Sequence, residues 1–265
     1  MDRTTNKQIP PLKCVQVNVQ HSRASTSNLI EHMTTNKIDI AFIQEPYNIR
    51  NKLAGIPKHM KIYSQGHGRK RAAVIVNNKN LDVVAITQLS EEDGLVIEAK
   101  YHNFTFIGAS MYFDILRNVE EDLQKIKNII DGNPGNGIIF LVDSNARSKL
   151  WYDIQTNPRG QTVEDFIITN NLYLANNNID KPTFETNWGR SWVDLTLTNS
   201  RLLKYISNWD CGVEESSSDH NLIALEIGEM TQKEGTHFDT IKYLVNEESF
   251  NKFDNVLTGI LIKEF

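Results

Sequence analysis

Gly137-Ile138-Ile139-Phe140-Leu141-Val142-Asp143-Ser144-Asn145 begins as an unbroken apolar run and ends on an acid, a hydroxyl and an amide. A run this short and this apolar reads as a strand at the centre of a sheet, with Asp143 at its C-terminal end. Before it, Val119, Leu123, Ile126 and Ile130 fall at helical spacing within residues 118–130, and Gly132-Asn133-Pro134-Gly135-Asn136-Gly137 stops that helix. Near the start of the chain, Leu12–Val19 alternates apolar and polar residues as a strand with one buried face does, with Asn18 at its end. Ser25 and Thr26 are candidate caps for a helix burying Leu29, Ile30 and Met33, and Ile38–Ile43 is a central strand running into Gln44-Glu45-Pro46-Tyr47.

Between these two regions, Ala72–Val76, Leu81–Ile86, Gly94–Ala99 and Phe104–Met111 are spaced closely enough to pair antiparallel. Beyond them come a helix over Val163–Ile168 and strands near Leu172–Leu174, Pro182–Glu185, Val193–Leu197, Ser207–Cys211 and Asn221–Ile227. Many strands with few helices suggest two packed sheets with helices outside. After Glu229 the composition turns polar, and Phe250, Phe253, Leu257 and Ile260 then return at helical spacing. The domain reading is therefore a leader over 1–12, one main domain over 13–229, and a linker with a partial helix over 230–265. That tail either leads toward a further domain or docks on the same one.

With 265 residues and 40% apolar content, one substantial α/β core is within reach. Cys14 and Cys211 are far apart and lack metal-site spacing, which argues against a disulfide scaffold, a zinc site or a thiol nucleophile and fits a reducing compartment. No apolar run approaches the roughly 20 residues of a membrane span, and residues 1–7 lack a signal peptide's apolar stretch. The chain is therefore expected in the cytosol or nucleus with no membrane partner. Its 28 Lys+Arg against 33 Asp+Glu do not advertise a nucleic-acid binder, although a site that holds a cation must itself be acidic.

Several polar residues share one address, the end of an apolar strand: Asn18, Glu45, Tyr112, Asp143-Ser144-Asn145, Asp194 and Ser218-Asp219-His220. Hard cations such as Mg²⁺ take oxygen ligands and keep several waters, so one or two carboxylates, an amide and a substrate phosphate suffice to bind one. Phosphodiester displacement also needs an oriented water and donors aimed at the developing charge. Singly, each residue has an ordinary explanation. Asn18 suits a turn, Glu45 before Pro46 a solvated exit, the Asp143 triplet a cap, Tyr112 core-edge packing, and Ser218-Asp219-His220 a loop. Asp194 is harder to dismiss: a carboxylate inside Trp192-Val193-Asp194-Leu195 needs a partner, and a histidine is the obvious one.

Read in order, Asn18, Gln44-Glu45-Pro46, Tyr112-Phe113, Asp143-Ser144-Asn145, Val193-Asp194 and Ser218-Asp219-His220 resemble the motif set of the exonuclease/endonuclease/phosphatase superfamily. That superfamily includes apurinic/apyrimidinic endonucleases, deoxyribonuclease I, sphingomyelinases and inositol phosphatases. Ile43-Gln44-Glu45-Pro46-Tyr47, Asp143-Ser144-Asn145-Ala146-Arg147-Ser148 followed by Trp151, Pro182-Thr183-Phe184, and the run into His220 look most like non-LTR (LINE-type) retrotransposon endonucleases. The resemblance implies an α/β four-layered sandwich of two mixed β-sheets flanked by helices, deoxyribonuclease I-like, and a phosphodiesterase using Mg²⁺ or Mn²⁺.

By that resemblance Glu45 is the main metal ligand, with Asn18 and Asp219 beside it. Asp143 and Asn145 position or deprotonate the attacking water, Tyr112 serves the phosphate, and His220 paired with Asp194 stabilises the developing charge. Whether Asp143 or His220 is the base is a matter of geometry. The expected partner is double-stranded DNA, nicked in the nucleus to leave a 3′-hydroxyl and a 5′-phosphate, the 3′-hydroxyl then priming reverse transcription by another part of a longer polyprotein. This sequence itself contains no Tyr/Phe-Ala-Asp-Asp reverse-transcriptase motif. Repair members often carry an acid two positions after the equivalent of Asn18, where Gln20 stands here. The alternatives are a repair nuclease, a phosphatase for a small phosphodiester, or a catalytically silent DNA-binding module.

Two loops offer DNA contacts. Thr186–Ser191 reads as a hairpin tip on which Trp188 and Arg190 could probe a groove, or as an ordinary exposed turn. Gly66–Arg71 is basic, and Arg69, Lys70 and Arg71 could meet phosphates or simply be solvated.

Overall fold

β1 (Leu12–Asn18) passes through α1 (Arg23–Thr35) to β2 (Ile40–Gln44), which lies parallel to β1 with Gln44 beside Asn18. A parallel return needs a crossover, and the helix supplies it. The short β3 (Asn48–Ile49), β4 (Lys52–Leu53) and β5 (Lys61–Tyr63) lead to β6 (Ala72–Val76), β7 (Leu81–Ala85), β8 (Gly94–Tyr101) and β9 (Phe104–Tyr112). α2 (Val119–Gly132) then carries the chain to β10 (Gly137–Asp143), again parallel to the strand before it, with Asp143 beside Tyr112. The remaining elements are α3 (Pro158–Thr169), β11 (Leu172–Leu174), the hairpin β12 (Phe184–Thr186) and β13 (Gly189–Ser191), β14 (Asp194–Asn199), α4 (Ser200–Leu203), β15 (Ile206–Cys211) and β16 (Ile223–Ile227).

These strands form two six-stranded mixed sheets, ordered β15-β16-β1-β2-β6-β5 and β11-β14-β10-β9-β8-β7. Their facing sides interlock Cys14, Ile40, Phe42 and Val74 with Leu95, Ile97, Phe106 and Leu141. α1 covers the outer face of the first sheet through Leu29 and Met33, and α2 and α3 cover the second through Leu123, Ile126, Val163 and Ile167. The result is the four-layered sandwich, α1, sheet, sheet, then α2 with α3. The sheets approach so closely that a Cβ on Gly108 of β9 would sit 2.8 Å from the Phe42 ring, which leaves glycine as the residue that fits. The computed structural model describes residues 9–177 and 180–228, and these belong to one compact unit. The leader's first eight residues and the tail beyond 228 lie outside the described residues.

Several sequence expectations change. β1 is buried on both faces, because Val15 and Val17 meet α1 while Cys14, Gln16 and Asn18 face the second sheet. Its polar residues are therefore interior: Gln16 reaches Thr196, whose hydroxyl also accepts from Trp209 Nε1 at 3.0 Å. The cap of α1 is Ser22, which accepts from the Ser25 backbone; Ser25 and Thr26 lie in the first turn. β6 does not pair with β7. It joins β2 in the first sheet, and only β7, β8 and β9 form the expected antiparallel run. α3 starts five residues earlier than its apolar spacing indicated, capped by Asn157 with Pro158 in its first turn.

Candidate active site

The two parallel pairs end at the same edge of the sandwich, which explains why residues far apart in sequence meet there. β1 ends on Asn18, β2 runs into Glu45, β9 ends on Tyr112 and β10 ends on Asp143. Asp194 opens β14 directly opposite Asp143, and His220 precedes β16, the antiparallel neighbour of β1.

At the centre, His220 Nδ1 lies 2.9 Å from Asp194 Oδ2, and its Nε2 lies 3.9 Å from Asp143 Oδ2. All three residues are buried, and their ligand atoms lie within 4.8 Å of one another. Burial alone would push the imidazole toward its neutral form, but the Asp194 and Asp143 charges outweigh it and raise its pKa to about 9. The Asp143 pKa is raised as well, but here burial is the cause: it outweighs the imidazole and the Asn18 hydrogen bond and brings the carboxyl to about 6. The two acids thus favour the protonated form of the buried His220 ring between them.

Asn18 joins this group to Glu45, its Nδ2 donating to Asp143 Oδ2 at 2.8 Å and to Glu45 Oε2 at 3.2 Å. Its amide oxygen accepts from the Gln20 backbone N–H at 2.8 Å, which fixes the orientation of the amide. Asn18 thus presents its amide nitrogen to the two carboxylates and its oxygen to the Gln20 backbone. Glu45 Oε1 lies 3.4 Å from His21 Nε2. Burial works to raise the Glu45 pKa, yet hydrogen bonds from His21 and Asn18 prevail and hold it below the ordinary value.

Gln20 holds the opposite wall. Its Oε1 accepts from the Asp219 backbone N–H at 3.0 Å and from the Ser218 hydroxyl at 3.1 Å, while its Nε2 donates to Asp219 Oδ2 at 3.0 Å. An acid at position 20 could accept but not donate, so the amide is what lets Asp219 sit beside this turn. Asn145 donates from Nδ2 to the Phe113 carbonyl at 3.0 Å. Gln20, His21, Glu45 and Asn145 all hold left-handed φ values, between 44° and 53°, at a cost in backbone energy that the surrounding contacts must offset. Tyr112 stands beside Asp143 with its phenol pKa raised to about 12, by burial first and then by Glu45 and Asp143.

The loops fall differently. The hairpin forms as expected, with Trp188 98% exposed and Arg190 exposed on β13. Its root is tied to the site: Phe184 pairs with His220, their rings 4.9 Å apart, and Glu185 N–H donates to the Asp219 carbonyl at 2.8 Å. Arg69 and Arg71 line a cavity of about 470 Å³ that Glu45 and His21 share, while Lys70 donates to the Gly68 carbonyl. Arg71 is not a solvated loop cation; its guanidinium is committed to Asp93 and Asp114. Sequence reading did not name His21, and it quoted Gln44, Thr183 and Phe184 inside motifs without giving them a role. Gln44 is fully buried and donates to Ser110 Oγ and to the Leu141 carbonyl, both at 3.0 Å, joining the two sheets beneath the site. Thr183 Oγ1 accepts from the Asp194 N–H at 2.9 Å. The available signal was position: each adjoins a residue that had been singled out.

A family described as endonuclease-reverse transcriptase matches residues 106–224. The chain is 24% identical over 190 residues to a retrovirus-related Pol polyprotein from type-1 retrotransposable element R1 of Bradysia coprophila, covering 68% of this chain and 19% of that one. It is 22% identical over 222 residues to a 115 kDa protein in element R1DM of Drosophila melanogaster, covering 80% and 21%. The chain thus spans about a fifth of the length of these relatives. Among solved structures, the endonuclease domain of TRAS1, a telomere-specific non-LTR retrotransposon, superimposes with a TM-score of 0.74 at 28% identity, covering 84% of this chain and all of that one. The apurinic/apyrimidinic endonuclease LMAP of Leishmania major shares the fold with a TM-score of 0.66 at 13% identity, covering 87% and 92%.

Fold and site define the class, the exonuclease/endonuclease/phosphatase superfamily. Within it the chain is similar to the endonucleases of non-LTR retrotransposons.

Proposed function

We propose that this domain nicks double-stranded DNA in a Mg²⁺-dependent reaction, leaving a 3′-hydroxyl that primes reverse transcription by another part of a longer polyprotein. The observation that carries the reading is the buried His220 ring between Asp194 and Asp143, with Asn18 tying Asp143 to Glu45.

The donor chemistry fits a hard cation. Glu45 offers a carboxylate held in its charged form at the edge of an open cavity, and Asp219 offers a second carboxylate beside the same turn. Glu45 and Asp219 would hold the ion, with Asn18 orienting Glu45 from behind. When bound, a divalent cation withdraws charge from the phosphate and from the departing 3′-oxygen.

The chain's own groups supply the rest. With its carboxyl raised to about 6 by burial, Asp143 is ionised at neutral pH yet basic enough to take a proton from water. The neighbouring acids favour the protonated form of His220, which serves as a donor toward the phosphoryl oxygens, and Asp194 holds its ring in place. In this reading Asp143 is the base. Asn145 fixes the turn after Asp143, and Tyr112 donates its phenolic hydrogen to the phosphate. Trp188 and Arg190 meet the DNA groove from the hairpin, and Arg69 and Lys70 meet its backbone.

The reading is tested on the product. A labelled duplex cut in Mg²⁺ is expected to yield strands that a polymerase extends without end treatment; strands that extend only after phosphatase treatment carry 3′-phosphates and would overturn it.

A further inference from the structure

Arg71 sits in the basic loop with Arg69 and Lys70, where a contact to DNA phosphate is the simple expectation. Its surroundings differ. Only 20% of its side chain is exposed, and its guanidinium forks onto Asp93, with Nε 2.7 Å from Oδ1 and Nη2 2.9 Å from Oδ2. Nη1 donates to Asp114 Oδ2 at 2.8 Å. Arg117 Nη1 adds a second cation on Asp93 at 2.7 Å, so the four groups carry two positive and two negative charges. A neutral, mutually saturated unit has little field left for a phosphate.

The same residue touches both arms of the candidate active site. The guanidinium carbon lies 4.8 Å from the centre of the Tyr112 ring, within range for a cation over an aromatic face. Tyr112 N–H donates to the Asp93 carbonyl at 2.8 Å, so one carboxylate residue holds both the arginine and the tyrosine. The Arg71 carbonyl in turn accepts the Glu45 N–H at 2.8 Å, fixing the strained turn that presents Glu45.

We propose that Arg71, anchored by Asp93 and Asp114, is a positioning residue that sets the Tyr112 ring and the Glu45 turn relative to each other, and that it does not contact DNA. This rests on the nuclease reading given above. Lysine cannot replace it, since one ammonium cannot fork onto two carboxylates and also present a planar face to a ring.

The test compares Arg71→Lys, Arg71→Gln, Asp114→Asn and, as a reference for a phosphate contact, Arg69→Ala. For each, turnover on an intact duplex and binding of the same duplex in EDTA across a salt series are measured. The Arg71 and Asp114 variants are expected to lose turnover by about 10- to 100-fold, because small displacements of a reacting group are costly, with binding and its salt slope unchanged. Asp114→Asn keeps the arginine's charge, so it carries the test if the Arg71 variants do not fold. Weaker binding of Arg71→Gln with a salt slope lower by about one, and a normal Asp114→Asn enzyme, would establish a phosphate contact and overturn the proposal.

A wild type that nicks nothing would sink the nuclease reading instead. The placement is then read from the NMR ring resonances of Tyr112, assigned with Tyr112→Phe. They are expected to move in Arg71→Lys and Asp114→Asn; unmoved resonances would overturn the positioning role on their own.

Discussion

His220 is the residue whose surroundings do most to define this protein's chemistry. Its ring is buried between two carboxylates, and their charges hold its pKa near 9, above the ordinary 6.5. Linkage then fixes a sign: its contribution to stability is complete below about pH 6.5 and is lost as pH rises through 9. Asp143, raised to about 6, also favours the folded state at low pH, but its effect is over before that window opens. The melting temperature of the metal-free protein is therefore expected to fall between pH 6.5 and 9, and His220→Gln is expected to remove that fall. A wild-type curve that is flat across the window would show the imidazole to be neutral. Much at this scale was legible in the sequence, because Asn18, Glu45, Tyr112 and Asp143 each interrupt or end an apolar run. His21 and Gln20 were not, since their roles depend on left-handed backbone turns that residue type does not announce.

Among the elements, an ion pair within the loop after β10 ties that loop to the hairpin β12–β13. Arg147 Nη2 lies 2.8 Å from Asp153 Oδ1, and its Nε donates to both Asp153 oxygens. Asp153 is buried and also accepts from the Trp192 N–H at 3.2 Å, just past the hairpin, while Arg147 Nη2 reaches the Arg190 carbonyl at 3.5 Å. The pair thus sets how Trp188 and Arg190 stand relative to Asn145. Arg147→Ala is expected to broaden the distribution of nick sites along a mapped substrate while lowering turnover by less than tenfold. An unchanged map would mean that the hairpin's strand pairing alone positions it. The elements' existence could be read from periodicity, but their sheet membership could not. β6 is apolar at every position and buried throughout, so it carries no alternation to show which sheet it joins, and proximity in sequence pointed to β7.

For the whole molecule, the distance between the two sheets matters most, because each contributes half of the site. Phe42 from one sheet fills the space left by Gly108 in the other, and Gln44 bridges the sheets just below Glu45. Gly108→Ala forces the added methyl against that ring and is expected to destabilise the protein by about 1–3 kcal/mol in denaturant unfolding. Activity per folded molecule is expected to drop as well, since Glu45 and Asp143 ride on different sheets. A stable variant would show that the sheets can separate locally. The four-layer architecture followed from the ordered motifs more than from strand counting. What the motifs left out is the inter-sheet polar ladder of Gln16, Thr196, Trp209 and Gln44, whose members resemble surface residues until both sheets are in place.

The most direct measurement is nicking of supercoiled plasmid by this domain with Mg²⁺, with EDTA, and with His220→Ala and Glu45→Ala. The expected result is open-circular product in Mg²⁺ alone, lost in EDTA and reduced by on the order of 10²–10³-fold or more in each variant. A folded wild type that leaves the plasmid intact with every divalent metal, or variants that nick as well as it does, would contradict the assignment of this site to DNA cleavage.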